Sequence, residues 1–100
     1  MTFPVSTNDG ATTVGATSIL IFPARYGKRL DYSIVNTGAT NLSIRRGIGA
    51  AVTKEGIYLV GLASFWGESS GDVEQCWQGE IQIISDAGGG TFAYSERLRD

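Results

Sequence analysis

Apolar and polar residues alternate through most of this chain, and the clearest stretch runs from Lys28 to Gly47, KRLDYSIVNTGATNLSIRRG. There Leu30, Tyr32 and Ile34 fall on one face and Arg29, Asp31 and Ser33 on the other, the period of two of a half-buried strand. Asn36-Thr37-Gly38 breaks the run. Both Asn and Gly tolerate positive φ, so the pattern predicts a hairpin, with Leu42 and Ile44 resuming the buried face and Ser43 and Arg45 pointing outward.

The flanking segments read the same way. Ala11 to Val14 is a short strand candidate, and Thr17 to Phe22, TSILIF, is rich in β-branched residues and apolar on both faces. Pro23 ends it. Beyond Gly47 the pattern predicts a strand at Ala51 to Thr53, a turn at Lys54-Glu55-Gly56 and a strand at Ile57 to Val60. Gly61 then interrupts an apolar run that resumes at Ala63 to Trp66, the sign of a bulge or corner. Gly67 to Asp72 is a polar loop, Val73 to Trp77 a weak strand, Glu80 to Ser85 and Thr91 to Glu96 stronger ones, and Asp86 to Gly90 a hairpin connection between those two. Met1 to Gly10 reads as a flexible amino-terminal arm ending in a turn at Asn8-Asp9-Gly10, residues 11–97 as one β domain, and residues 98–100 as a charged tail. No stretch carries helix spacing with caps. About eight short strands with regularly recurring turns predict an all-β, compact β-sandwich of jelly-roll or Greek-key type.

Composition narrows the picture. One hundred residues make one small domain, and 42% apolar with 18% charged residues is too hydrophobic for disorder and too polar for a membrane span. The amino terminus lacks the basic start and apolar core of a signal peptide, so synthesis and folding in a cytoplasm are expected. A net charge of −2 without blocks of one sign argues against a general nucleic-acid binder.

Candidate chemistry is sparse. The chain has no histidine, which removes the usual general base, the usual triads and most zinc sites. Cys76 is the sole cysteine, so no internal disulfide can form, and a thiol next to Trp77 reads as a packing residue. Carboxylate pairs such as Asp72 with Glu74, or Glu80 with Glu96, are common on solvated strand faces and do not specify a glycosidase; with Glu68 they match no metal loop. Gly88-Gly89-Gly90 has no following helix and is a turn, not a phosphate cradle. Arg25, Lys28, Arg29, Arg45 and Arg46 form a modest basic patch that suits an acidic partner protein better than a nucleic acid. Adjacent Phe65 and Trp66 must point to opposite faces of one strand, so at least one lies outside the core or at its edge; with Trp77 the alternatives are core packing of both tryptophans, a subunit interface or a sugar-stacking platform.

The order of RLDYSIVNTG, NLSIRRG, KEGIYLVGLASFW, WQGEIQIISDAGG and FAYSE resembles small all-β structural proteins of tailed bacteriophages that decorate or cement a capsid or associate with the tail. The resemblance covers Thr17 to Glu96. It implies a non-enzymatic virion component without cofactors, assembled in the host bacterial cytoplasm. Its partners would be the major capsid protein or other virion proteins, with no nucleic acid and no membrane, and a homo-oligomer, a trimer above all, is expected. Phe3, Pro4 and Val5 of the arm, with Arg45, Arg46, Phe65, Trp66 and Trp77, are the candidate interface residues. The alternative is a carbohydrate-binding module in which the exposed aromatic rings stack on a glycan.

Overall fold

Residues of period two generate most of the strands in the structure, a computed structural model that describes residues 5–68 and 76–99. The strands are β1 (Val5–Val14), β2 (Ile19–Phe22), β3 (Arg29–Asn36), β4 (Leu42–Arg46), β5 (Ile57–Leu59), β6 (Phe65–Glu68), β7 (Ile81–Ser85) and β8 (Gly90–Arg99). They form two four-stranded sheets, ordered β1-β8-β3-β6 and β2-β7-β4-β5, and every pairing is antiparallel. Successive strands mostly alternate between sheets, as in a jelly roll, in accordance with the fold read from the sequence.

Between the sheets Phe22, Tyr32, Ile34, Leu42, Ile44, Ile81, Ile83 and Phe92 are all 2% exposed or less. At about 1.5–3 kcal/mol for each large apolar side chain removed from water, this layer supplies the main driving force for folding. Phe22 sits edge-on to Tyr32 and Tyr94, with ring centroids 5.9 and 5.7 Å apart. Tyr94 lies over Gly10, its cross-strand partner on β1; a Cβ at position 10 would fall 2.6 Å from the tyrosine hydroxyl, so β1 needs glycine there to let the ring close the layer.

Several sequence expectations are corrected. The segments around Asn36-Thr37-Gly38 do not form a hairpin: β3 and β4 belong to opposite sheets, and β7 and β8 are separated in the same way. Residues 37–41 and 86–89 are therefore crossovers, which alternation cannot distinguish from hairpin turns because the buried face is the same in both. Residues 5–10, expected in a loose arm, are the first part of β1 and pair in continuous register with β8, from Val5 opposite Arg99 to Gly10 opposite Tyr94. Polar residues suffice there because β1 is an edge strand held by its ladder. Leu98 and Arg99, placed in the tail, belong to β8. The strand expected at Ala51 to Thr53 is a loop that folds back over the outer face of the second sheet. Its backbone meets Ser18 and Ser43, through Ala51 N–H to Ser18 Oγ at 2.9 Å and Lys54 N–H to Ser43 Oγ at 2.7 Å. Of the strand expected at Val73 to Trp77, residues 73–75 lie outside the described residues, and Cys76 and Trp77 are not in a strand.

Candidate functional site

Two ends of the sandwich present side chains that the core does not use. At one end the chain leaves β5, crosses to the first sheet and enters β6. Val60, Leu62 and Phe65 lie along this crossover and are 52%, 78% and 75% exposed. Leu62 and its neighbour Ala63 both have positive φ, 66° and 77°, a left-handed conformation that costs a non-glycine residue about 1–3 kcal/mol. The backbone is nevertheless fixed. Leu62 N–H donates to Gly38 O and Ala63 N–H to Asn36 O, each at 2.8 Å, while Gly61 N–H donates to Asn41 Oδ1 at 2.8 Å. Gly61 lies so close to the Ala39 carbonyl that a Cβ would stand 2.5 Å from its oxygen.

Asn36 organises this end from within. It is fully buried, donates through Nδ2 to Thr40 O at 2.8 Å and Leu59 O at 3.0 Å, and accepts at Oδ1 from Gly38 N–H at 3.1 Å. One neutral amide thus ties β3, the β3–β4 crossover and the end of β5 together. Sequence reasoning assigned Asn36 only to a turn; a buried amide and a turn amide look alike in a sequence.

Phe65 and Trp66 do point to opposite faces. Trp66 packs on the core cluster, edge-on to Tyr32 at 5.3 Å, with the Arg46 guanidinium 5.1 Å from its ring centroid. Arg46 also approaches Glu68 at 3.9 Å, and Glu68 accepts the Tyr32 hydroxyl at 2.7 Å. Burial, followed by that bond to Glu68, drives the Tyr32 phenol far above its ordinary value. Trp77 is 36% exposed and donates Nε1–H to Glu80 O at 3.1 Å, with its ring against Gly79. Arg45 is exposed and reaches Ala50 O at 3.4 Å. Val5 opens β1, and Phe3, Pro4, Asp72 and Glu74 lie outside the described residues. The structure therefore brings Arg46 and Trp66 together and leaves Phe65 on the outer face, exposed.

At the opposite end a buried charge cluster replaces the amide. Arg29, expected on the solvent face, is 0% exposed. The register of β3 on β8 shifts between Arg29 opposite Leu98 and Asp31 opposite Arg97, so Leu30 is an extra residue in a bulge and Arg29 turns inward, on the same side as Tyr32. Its guanidinium lies 5.5 Å from the centroids of both Phe22 and Tyr32. It donates to Glu96 Oε2 at 2.6 Å, Trp77 O at 2.7 Å, Pro23 O at 2.8 Å and Gly79 O at 3.0 Å. Glu96, placed on a solvated face by its sequence context, is also 0% exposed, and Arg25 adds a second guanidinium at 2.6 and 3.0 Å. Asn8 completes the carboxylate's shell at 3.0 Å. Burial pushes the Glu96 carboxyl up, but the hydrogen bonds from Arg25, Asn8 and Arg29 and the charge of Arg29 outweigh it and hold it below the usual carboxylate range. Glu80 takes no part in this cluster; its Oε1 accepts from Gln82 at 3.2 Å.

Cys76 is 4% exposed within the core cluster. Burial first, and the charge of Glu68 second, raise its thiol to about 11, so almost no thiolate forms near neutrality. Among the described residues no group of three or more His, Cys, Asp or Glu side chains is placed to hold a metal.

No protein-family model matches the sequence, and no curated protein matches it. Among solved structures the chain is similar to a protein of Bacillus endospore appendages, which form a family of disulfide-linked pili. The two share 15% identity with a TM-score of 0.54, over 96% of this chain and 87% of that one. At this identity the likeness is one of fold, and it places the chain among small all-β sandwiches.

Proposed function

We propose that the protein is a non-enzymatic structural subunit acting through repeated protein–protein contacts in a homo-oligomer, with a trimer as the favoured unit, and that it serves as a decoration or tail-associated protein of a bacteriophage particle. The observation that carries the structural role is the β5–β6 crossover. Leu62 is displayed at high exposure on a backbone held in an unfavourable conformation, with Val60 and Phe65 also exposed, an arrangement of apolar side chains that suits burial against a neighbour. The bacteriophage setting draws its support from the order of the sequence segments.

Like the appendage protein it resembles in fold, this chain would work by assembly, but by other means. That protein's pili are disulfide-linked, whereas here the single cysteine, Cys76, is buried with a raised thiol. The exposed Val60, Leu62 and Phe65 suit apolar contact instead. Binding only the assembled form of a particle would stabilise that form by mass action.

The glycan-binding alternative has less support. Its best ring, Trp66, packs on the core cluster and carries Arg46 over its face, which leaves the exposed Phe65 and the partly exposed Trp77.

Quantitative peptide mass spectrometry of particles purified from the protein's source tests the proposal. A copy number close to that of the major capsid protein is expected for a decoration protein, and a few copies per particle for a tail component. Absence from particles would overturn the bacteriophage setting.

A further inference from the structure

A second surface, distant from the β5–β6 crossover, lies at the charged end. Ser6, Arg25, Tyr26, Lys28, Leu98 and Arg99 line a shallow hollow there. With Ala24 the lining counts seven residues, and three of them, Arg25, Lys28 and Arg99, are cations. The carboxylate bonded to Arg25, Glu96, is itself buried and shared with Arg29, so it faces inward and does not neutralise the opening. Lys28 and Arg99 are exposed at their side chains and tied at their backbones, with Arg99 N–H donating to Lys28 O at 2.8 Å. A chain of net charge −2 thus concentrates positive charge at one fixed place.

Tyr26 adds an independent observation. The turn from Arg25 to Lys28 is closed by Lys28 N–H to Arg25 O at 3.2 Å, and its two central residues, Tyr26 and Gly27, have φ of 54° and 86°. This is the pattern of a turn that prefers Asn-Gly. Tyrosine is a poor choice for it, because a bulky side chain at positive φ is strained. Nor does the ring contribute to packing, since Tyr26 is 91% exposed. A strained backbone presenting an unburied aromatic ring at the rim of a cationic hollow has the composition of a recognition site: cations for carboxylates, and an amphipathic ring to cover the backbone between them.

We propose that this hollow binds an acidic peptide segment of a partner protein, with Lys28 and Arg99 pairing its carboxylates and Tyr26 lying along it. Arg25 is committed to Glu96 and sets the floor. The site does not depend on the assembly reading above, since it uses the opposite end of the sandwich. A nucleic acid fits less well, because three cations in one hollow supply little of the extended charge that phosphate binding uses.

The test is a titration of the full chain with hexaglutamate, followed by backbone amide shifts. Hexaglutamine and a single-stranded oligonucleotide serve as comparisons. Saturable shifts confined to Ser6 and residues 24–28 and 98–99, weakened by salt and absent with hexaglutamine, are expected. Tyr26→Asn is expected to keep or raise the melting temperature, because it relieves the turn, while weakening hexaglutamate severalfold. The Lys28→Glu and Arg99→Glu variants are each expected to weaken it by about tenfold. Shifts elsewhere, equal binding of hexaglutamine, preferential binding of the oligonucleotide, or unchanged affinity in Tyr26→Asn would each overturn the proposal.

Discussion

The two ends of the sandwich close their loops by different physics. At one end the neutral amide of Asn36 collects backbone groups of the β3–β4 crossover and the end of β5. At the other a buried ion cluster does so, with Arg29 reaching Pro23, Trp77 and Gly79 while Glu96 balances its charge. An amide network is indifferent to pH and tolerates the loss of a partner at the cost of a hydrogen bond. A buried ion pair is balanced only when complete, because each charge alone is far more expensive to bury than both together. Each end also carries a large, strained, exposed side chain, Leu62 at the amide end and Tyr26 at the ionic end. The rigid closure at each end is what holds these residues in place.

This contrast can be broken from either side. The largest effect is expected from Arg29→Ala, which leaves Glu96 buried with only Arg25 and Asn8 and frees the carbonyls of Pro23, Trp77 and Gly79. It should lower stability by about 3–5 kcal/mol, read from the urea midpoint at neutral pH. Asn36→Ala leaves buried backbone groups without partners and should cost about 2–3 kcal/mol, with the same loss at pH 4 and pH 7 on the scale of about one carboxylate titration.

A smaller effect comes from acid alone. Glu96 has a folded-state value below its unfolded one, so its contribution is complete above the ordinary glutamate range of about 4.3. It declines as pH falls through that range and is gone once pH drops below the folded value. Hydrogen exchange on acidification should therefore open the loop at residues 76–79 before the crossover at residues 60–64. Simultaneous opening would show that the two ends are one cooperative unit. The smallest change in stability is expected from Leu62→Gly, which removes the left-handed strain and should be neutral or stabilising by up to about 1 kcal/mol, measured by thermal melting.

Much of the fold was legible in the residues. Alternation at Tyr32, Ile34, Leu42 and Ile44 gave the buried faces, and the number of strand-sized segments gave the class. Sheet membership was not legible, because a crossover and a hairpin leave the same alternation; β3 and β4 show this most clearly. Period two carried across a bulge puts Arg29 on the solvent face, and a bulge has no fixed residue signature at Leu30. Nothing local marks Glu96 as buried either, since its partners, Asn8, Arg25 and Arg29, are far away in the chain. Of the candidate surface, the opposition of Phe65 and Trp66 followed from strand geometry. The exposure of Leu62 and Tyr26 is set by turns, and periodicity gives no sign of it. The one available signal was Gly27 after Tyr26, the second residue of a turn with positive φ.

As an assembly surface on a fold that is stable without it, the β5–β6 crossover should govern the oligomeric state and leave the melting temperature alone. The most direct measurement is the solution mass of the full chain by light scattering across a concentration series, for the wild type and for Leu62→Ser combined with Phe65→Ser. A wild type that forms trimers, and a double variant that stays monomeric with an undiminished melting temperature, are the expected results. A double variant that assembles like the wild type, or a wild type that stays monomeric at every concentration, would contradict it.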